Sequence, residues 1–263
     1  MNTVDVGGAK VAYRVDGKGP GLVLVHGTGG NSESNWGHLV EHFALHRTVV
    51  RPDYAGSGRT QDDGNPLTVA VLAAQVVAAA EAAGAVPFDV VGFSLGAAVV
   101  AFIAAEYPAF VRSVVLLAGF ASGEDPRQRM QFELWRDLIQ SDRRSMARLV
   151  LLTGFSPDFL SRLDDAAVAE NVDAIVRDNN WEGMARQVEL DLMIDVGEQA
   201  RRITKPVLVI GCTQDHMVPA AHARKLAALI PDARYAEMVT GHLAALEQPA
   251  SFVALVLDFL RGA

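Results

Sequence analysis

Residues 89–102 read DVVGFSLGAAVVAF, an apolar run that sets Ser94 between Gly92 and Gly96. Two explanations compete for a hydroxyl flanked by the smallest residues. In the first, a strand meets a helix and small residues let the backbones approach. In the second, the serine sits on a turn too tight for larger neighbours and is held out for chemistry. The surrounding chain decides between them.

Before this stretch, GLVLVHG (residues 21–27) and RTVVRPD (47–53) are short continuous apolar runs, the pattern of strands buried on both faces. Residues 4–6 and 10–15 flank Gly7-Gly8 and predict a β-hairpin. A helix is expected over residues 35–44. PLTVAVLAAQVVAAAEAAG (66–84) opens on proline and stops on glycine, a punctuated helix. FDVVGFS is then a strand, LGAAVVAFIAAEYP a helix ended by Pro108, and VRSVVLLAG (111–119) a strand. Alternation of this kind predicts an α/β fold, a mostly parallel sheet with helices on both faces.

The rhythm stops after Gly119. Residues 121–202 hold amphipathic stretches such as RQRMQFELWRDLI and GMARQVELDLMI, and no convincing strand. It resumes with KPVLVIG (205–211), a helix over 220–230, the strand ARYAEM (233–238) and a final helix over about 243–260. The expected organisation is a core of residues 1–120 and 203–263, with 121–202 as a helical cap over the sheet's carboxyl edge, where such sheets bind ligands. There is no internal repeat and no low-complexity linker.

Composition narrows the function classes. Half of the 263 residues are hydrophobic and 21% are charged, which is globular composition. Lys plus Arg number 23 against 31 Asp plus Glu, for a formal charge of −8, and the basic residues form no stripe, so nucleic acid is not an expected partner. Cys212 is the only cysteine, which excludes an intrachain disulfide and a cysteine-based metal cluster. The first residues lack the basic start and apolar core of a signal peptide. No apolar stretch reaches the roughly 20 residues needed to cross a bilayer. The expectation is a cytoplasmic protein, monomer or homodimer, away from membranes, with a small-molecule substrate and neither cofactor nor metal.

The motif GFSLG falls where a strand gives way to a helix, and that context favours chemistry. A helix start beneath the hydroxyl supplies unpaired N–H groups and partial positive charge. Serine needs a base to attack a carbonyl, and the base needs an orienting acid. His242 in TGHLAALEQP follows the last strand, and Asp215 in VLVIGCTQDHMVP lies just beyond the preceding one, both at the same sheet edge. The order Ser94, Asp215, His242 is one of the known triad orders. Asp125 or Glu124, after the strand ending near Ala118, are rival acids. An oxyanion needs fixed donors; the glycine-rich VHGTGGN (25–31) and the helix start offer the N–H groups of Thr28 and Leu95.

With these motifs the chain resembles the α/β-hydrolase superfamily over essentially its whole length. The likeness rests on His26–Gly27, the elbow GFSLG, the acid in DHMVP, the base in GH and the loop DYAGSGRT from Asp53. It implies Ser94 as nucleophile, His242 as base, Asp215 as acid and residues 121–202 as cap. His216, directly after the acid, occupies a position that varies in the family.

Other residues read more plainly. His26 steers its loop, Asp53, Gly56 and Gly58 are turn chemistry, and Cys212 is a buried small hydrophobe. His38, His42 and His46 lie on a solvated helix face without an acidic cluster, and His222 is read as a surface residue. Phe120, Trp135, Phe155, Trp181, Met184 and Met217 are the candidate walls of an apolar pocket, with Phe159 in the same block. The arginines at 127, 129, 136, 143 and 144 fall at spacings that suit an outer face.

The leading expectation is a serine hydrolase that cleaves an ester, lactone or thioester of a largely apolar small molecule. C–C bond hydrolysis and acyl transfer or cyclisation use the same triad. Serine at 94 disfavours the aspartate-nucleophile epoxide hydrolases and haloalkane dehalogenases, and the absence of a following tryptophan disfavours perhydrolysis. A hydrolase-like ligand receptor with little turnover is the alternative of another class. Dinucleotide binding is set aside because Ser32 replaces the third glycine of HGTGG-type mimicry and no helix is expected to open at that loop.

Overall fold

The computed structural model describes residues 1–262. Its strands are β1 (Asn2–Val6), β2 (Ala9–Asp16), β3 (Gly21–Val25), β4 (Thr48–Asp53), β5 (Phe88–Phe93), β6 (Val111–Leu117), β7 (Val207–Cys212) and β8 (Arg234–Met238). Among the described residues they form one eight-stranded sheet in the order β1-β2-β4-β3-β5-β6-β7-β8. β1 and β2 are antiparallel, β2 meets β4 antiparallel, and every pair from β4 to β8 is parallel. β1 and β2 are joined by the expected glycine turn, with Gly7 and Gly8 both at positive φ.

The uninterrupted apolar runs are explained by cover on both faces. Alternate residues of each central strand go to opposite layers. Val23, Val90, Val114 and Val209 pack with α3 (Val69–Ala82) and α4 (Leu95–Glu106). Leu22, Val91, Val115 and Leu208 pack with Trp36 and Phe43 on the opposite face. Those two residues belong to α1 (Ser32–Trp36) and α2 (Val40–Ala44).

The helix expected over 35–44 opens earlier, at Ser32, and is broken by a 3₁₀ turn at Gly37–Leu39. Asn31 caps it by accepting from the N–H groups of Glu33 and Ser34. A helix therefore does open directly at the glycine-rich loop, contrary to the sequence expectation. Asp53, read as turn chemistry, holds this helix start, with Oδ1 accepting from Ser32 N–H at 2.7 Å.

Residues 121–202 contribute six helices: α5 (Pro126–Ser141), α6 (Arg143–Gly154), α7 (Pro157–Leu160), α8 (Asp165–Asp178), α9 (Trp181–Met193) and α10 (Gly197–Arg202). The block leaves and rejoins the core at one place. Gly123 N–H donates to Ile194 C=O at 2.9 Å, and Val196 N–H to Ala121 C=O at 2.8 Å. Beyond that closure α10 packs against α4 and so belongs with the sheet's flanking layer. The block thus ends near residue 196, short of the expected 202.

The chain finishes with α11 (Ala220–Leu229), α12 (Ala244–Glu247) and α13 (Pro249–Gly262). The single final helix expected from 243 is split, because Pro249 disfavours helical geometry in the residue before it and starts a fresh helix of its own. No helix is long and apolar enough to cross a membrane.

Candidate active site

The two glycines around Ser94 answer to sterics. A Cβ at Gly92 would stand 2.3 Å from the carbonyl oxygen of Gly96, and one at Gly96 would stand 2.5 Å from the carbonyl oxygens of Val25 and His26. Strand β5, helix α4 and the end of β3 meet too closely for side chains there. Ser94 itself adopts φ +55°, a conformation that L-residues rarely hold. The turn is fixed by Ser94 N–H donating to Leu117 C=O at 2.9 Å and by Ala97 N–H returning to Ser94 C=O at 2.9 Å.

Asp215 and His242 come together from the ends of β7 and β8. His242 Nδ1 lies 2.7 Å from Asp215 Oδ2, and both side chains are sealed from solvent. Asp215 Oδ1 accepts from the N–H groups of Met217 and Val218 at 2.8 and 2.7 Å. The carboxylate is thus held by three donors, two on fixed backbone and one on the imidazole. Because a carboxylate oxygen only accepts, Nδ1 carries the hydrogen and Nε2 is left as an acceptor. The ring of His242 packs 4.8 Å from that of Phe93, next to the elbow.

The rival acids stand elsewhere. Asp125 is the N-cap of α5 and accepts from the N–H groups of Arg127 and Gln128, which hold its carboxyl below the usual range. Glu124 is exposed.

Ser94 and His242 line one cavity of about 330 Å³. Thr28 and Gly29 form part of its wall, and α5, α6, α8 and α9 add apolar side chains such as Trp135, Leu151, Ile175 and Met184. Trp135, Phe155, Met184 and Met217 lie on this wall. Phe120 and Trp181 do not. Phe120 is fully buried and packs its ring 5.9 Å from Phe132, behind the wall. Trp181 is turned into the helical block, where Nε1–H donates to Val176 C=O at 3.1 Å and Arg143 lies over its ring. The sequence placed both aromatics near the cavity and carried no signal for the direction of either ring. Sequence reading did not single out Asn31, Asn35, Asn171 and Asn179, which give the cavity a polar margin.

Thr28 lies in the loop after β3, and Leu95 is the first residue of α4, next to the serine. Gly27 N–H donates to Asn35 Oδ1 at 3.0 Å and Gly29 N–H to Gln187 Oε1 at 2.8 Å. Among the described residues the N–H groups of Thr28 and Leu95 donate to no protein acceptor. They are the free donors beside Ser94.

The remaining histidines sort by burial. His26 is fully buried, stacked 3.9 Å over Tyr54, with Nδ1 against Gly27 C=O; burial pushes its pKa down. His38, His42 and His46 are exposed, and His38 Nε2 meets Ala245 C=O at 2.9 Å. His222, read as a surface residue, is buried at the start of α11, beside Asp125 and Arg127 at the start of α5. Burial lowers its pKa too. The block's arginines are exposed or half-buried and none lines the cavity.

The helical block also grips the loops that carry Asp215 and His242. From α5, the Arg127 guanidinium donates to His216 C=O and the Gln131 amide to Met217 C=O, both beside Asp215. Glu247 accepts from Ser156 N–H and Oγ–H at 2.6 and 2.7 Å and from Gly241 N–H at 2.9 Å, next to His242.

Known proteins agree with this architecture. The chain is 60% identical over 260 residues to a pyrrolizixenacetamide deacetylase of Xenorhabdus hominickii, covering 99% of this chain and 98% of that protein. The crystal structure of an enol-lactonase from Burkholderia xenovorans LB400 superposes with a TM-score of 0.89 at 26% identity, over 99% of this chain and 100% of the other. A hydrolase from Pseudomonas aeruginosa PA01 superposes with a TM-score of 0.87 at 27% identity, over 98% and 97% of the two chains. The profile of the alpha/beta hydrolase fold matches residues 20–249. With the sheet order, the elbow and this match in agreement, the chain belongs to the alpha/beta hydrolase fold family.

Proposed function

We propose that the protein is a serine hydrolase that removes a short acyl group, such as acetyl, from the nitrogen of a compact, largely apolar amine. The observation that carries the reading is the joint placement of Ser94 and His242 on one apolar cavity, with His242 backed by Asp215 at 2.7 Å. The choice of an amide over the ester, lactone or thioester of the sequence expectation is supported by the 60% identical relative, whose name is that of an acetamide deacetylase.

In this reading Ser94 Oγ attacks the acyl carbon while His242 Nε2 takes the hydroxyl proton. Asp215 keeps the imidazole in the tautomer that can accept it and stabilises the imidazolium that forms. The N–H groups of Thr28 and Leu95 receive the developing oxyanion. His242 then gives its proton to the departing amine nitrogen, without which an amide C–N bond does not break. Water, activated by the same imidazole, hydrolyses the acyl-enzyme and regenerates Ser94. The helices of residues 121–196 act as the cap, supplying apolar wall and no charged side chain of their own except Asp178 at the margin.

The test compares acetamides and matched acetate esters of bicyclic and monocyclic amines and alcohols, with acetate and amine release followed by mass spectrometry. Turnover of the acetamides that disappears in Ser94→Ala is expected. Ester turnover with no amide cleavage would return the reading to an esterase.

A further inference from the structure

Three residues of α9 recur at every fourth position and share one face: Gly183, Gln187 and Asp191. All three are buried. A Cβ at Gly183 would stand 1.9 Å from the carbonyl oxygen of Gly56, so this glycine lets the helix lie directly on the loop after β4. One turn on, Gln187 Oε1 accepts from Gly29 N–H at 2.8 Å, and its Nε2 donates to Ser57 Oγ at 2.7 Å. A further turn on, Asp191 Oδ2 accepts from Thr28 Oγ1–H at 2.6 Å. Neither polar side chain lines the cavity.

We infer that Gln187 and Asp191 are positioning residues, a two-point splint by which the cap helix sets the direction of the Thr28 N–H in the oxyanion hole. The inference rests on the proposed Ser94 chemistry. The loop needs such support. It contains Gly27, Gly29 and Gly30, and its own backbone closes only one turn, Gly30 N–H to Gly27 C=O at 3.2 Å. The two contacts from α9 fall on either side of the Thr28 Cα, one on its side chain and one on the following peptide. Together they fix the residue whose N–H is free. Preorganised donors stabilise an oxyanion because they need no reorientation as charge develops, and about 1 Å of misplacement costs on the order of 10²-fold in rate.

The chemistry of the acceptor fits the task. Asp191 is wholly buried with Oδ1 unpartnered among the described residues, and no cation pairs with it. Burial pushes its pKa up to about 8, so it stands as a neutral acid at pH 7. A neutral acceptor holds the Thr28 hydroxyl without setting a negative charge behind the group that must receive one.

The experiment uses the full chain, p-nitrophenyl acetate as substrate and a trifluoromethyl ketone whose hydroxyl adduct mimics the tetrahedral intermediate. Asp191→Ala, Gln187→Leu and Thr28→Val, the last removing the hydroxyl while keeping the backbone N–H, are compared with Asp191→Asn. In the first three kcat falls by roughly 10- to 100-fold with KM changed less than about threefold, and ketone affinity weakens by the same factor as kcat/KM. Asp191→Asn keeps a neutral acceptor and restores kcat to within about threefold of wild type. Wild-type turnover reads the Ser94 chemistry and variant ratios read the splint, so the two fail separately. Thr28→Val and Gln187→Leu that keep kcat and ketone affinity within about twofold, or losses confined to KM, overturn the inference. So does an Asp191→Asn enzyme as impaired as Thr28→Val.

Discussion

His242 Nδ1 lies 2.7 Å from Asp215 Oδ2, while Met217 and Val218 aim their N–H groups at the other carboxylate oxygen. Three donors thus converge on one buried acid. An amide at 215 has a single acceptor oxygen, so Asp215→Asn must turn an NH₂ either toward the imidazole or toward two backbone N–H groups. The first arrangement favours the wrong tautomer, an effect on the order of 10⁴ in kcat in a well-studied triad. Asp125→Asn should leave kcat within about threefold, because its carboxyl caps α5 and an asparagine caps nearly as well. Steady-state kinetics of both variants is the check. A larger loss at 125 would move the acid to the loop after β6.

Glu247 ties the helical block to the histidine loop through three donors, on Ser156 and Gly241. Glu247→Ala orphans all of them, each at about 1–3 kcal/mol where buried, so the melting temperature should fall by several degrees. Because Gly241 precedes His242, the proposed base, kcat should fall as well. Glu247→Gln retains one acceptor oxygen and should lie between. Thermal melts with parallel kinetics decide it, and an alanine variant with unchanged kcat would show that the block does not hold His242.

At Gly92 an added methyl would stand 2.3 Å from a backbone oxygen, whereas at Gly262 it would meet nothing within 4 Å. Gly92→Ala should therefore cost upwards of about 2 kcal/mol and Gly262→Ala almost nothing. Denaturant midpoints at constant m-value measure both. Near-equal midpoints would mean that the elbow can relax.

The sheet was legible because its central strands are covered on both sides, which writes Val, Ile and Leu at every position of residues 22–25 and 207–210. The elbow was legible because Gly92 and Gly96 have one steric reason. The helix breaks at Gly37 and Pro249 were hidden inside continuous amphipathic patterns. Gln187 and Asp191 escaped notice because a buried polar residue on an amphipathic helix shows only its period, never its partner. Phe120 and Trp181 were misdirected for a related reason. Hydrophobicity says that a ring is buried, and the direction depends on neighbours far along the chain.

Asp191 should give the fold a pH dependence of definite sign. Its pKa moves from 3.8 to about 8 on burial. Between those values the folded state keeps a proton that the unfolded state releases, so stability is full below about pH 4 and is lost as pH rises toward 8. The slope approaches about 1.4 kcal/mol per pH unit. Facing it, the Tyr54 hydroxyl has its pKa pushed further up by burial and by the charges of Asp191 and Asp53, and stays neutral across this range. His26, stacked on Tyr54, has a lowered pKa and acts the opposite way below its unfolded value of 6.5. Comparison with Asp191→Asn cancels the histidine. The melting temperature of wild type relative to Asp191→Asn should fall steadily from pH 5 through 6.5 to 8. Parallel curves would mean that Asp191 ionises in the fold at no cost.

Trp135 on α5 and Trp181 on α9 belong to the same block and should separate shape selection from packing. Trp135 lines the cavity, while Trp181 holds α8 through its Nε1–H bond to Val176 and lies outside the wall. Trp135→Ala should enlarge the cavity and shift kcat/KM toward bulkier amines or acyl groups, in steps of about 1–3 kcal/mol per methylene at most. Trp181→Ala should cost about 3–5 kcal/mol of stability and leave the substrate profile in the same order. No arginine faces the cavity, so matched neutral and anionic substrates should favour the neutral member in both variants. The measurement is kcat/KM across a graded substrate panel, with denaturant unfolding alongside. A reordered profile in Trp181→Ala would show that the ring governs the cavity through α8. A preference for carboxylated substrates, lost with removal of one arginine of the block, would show that charge rather than shape selects.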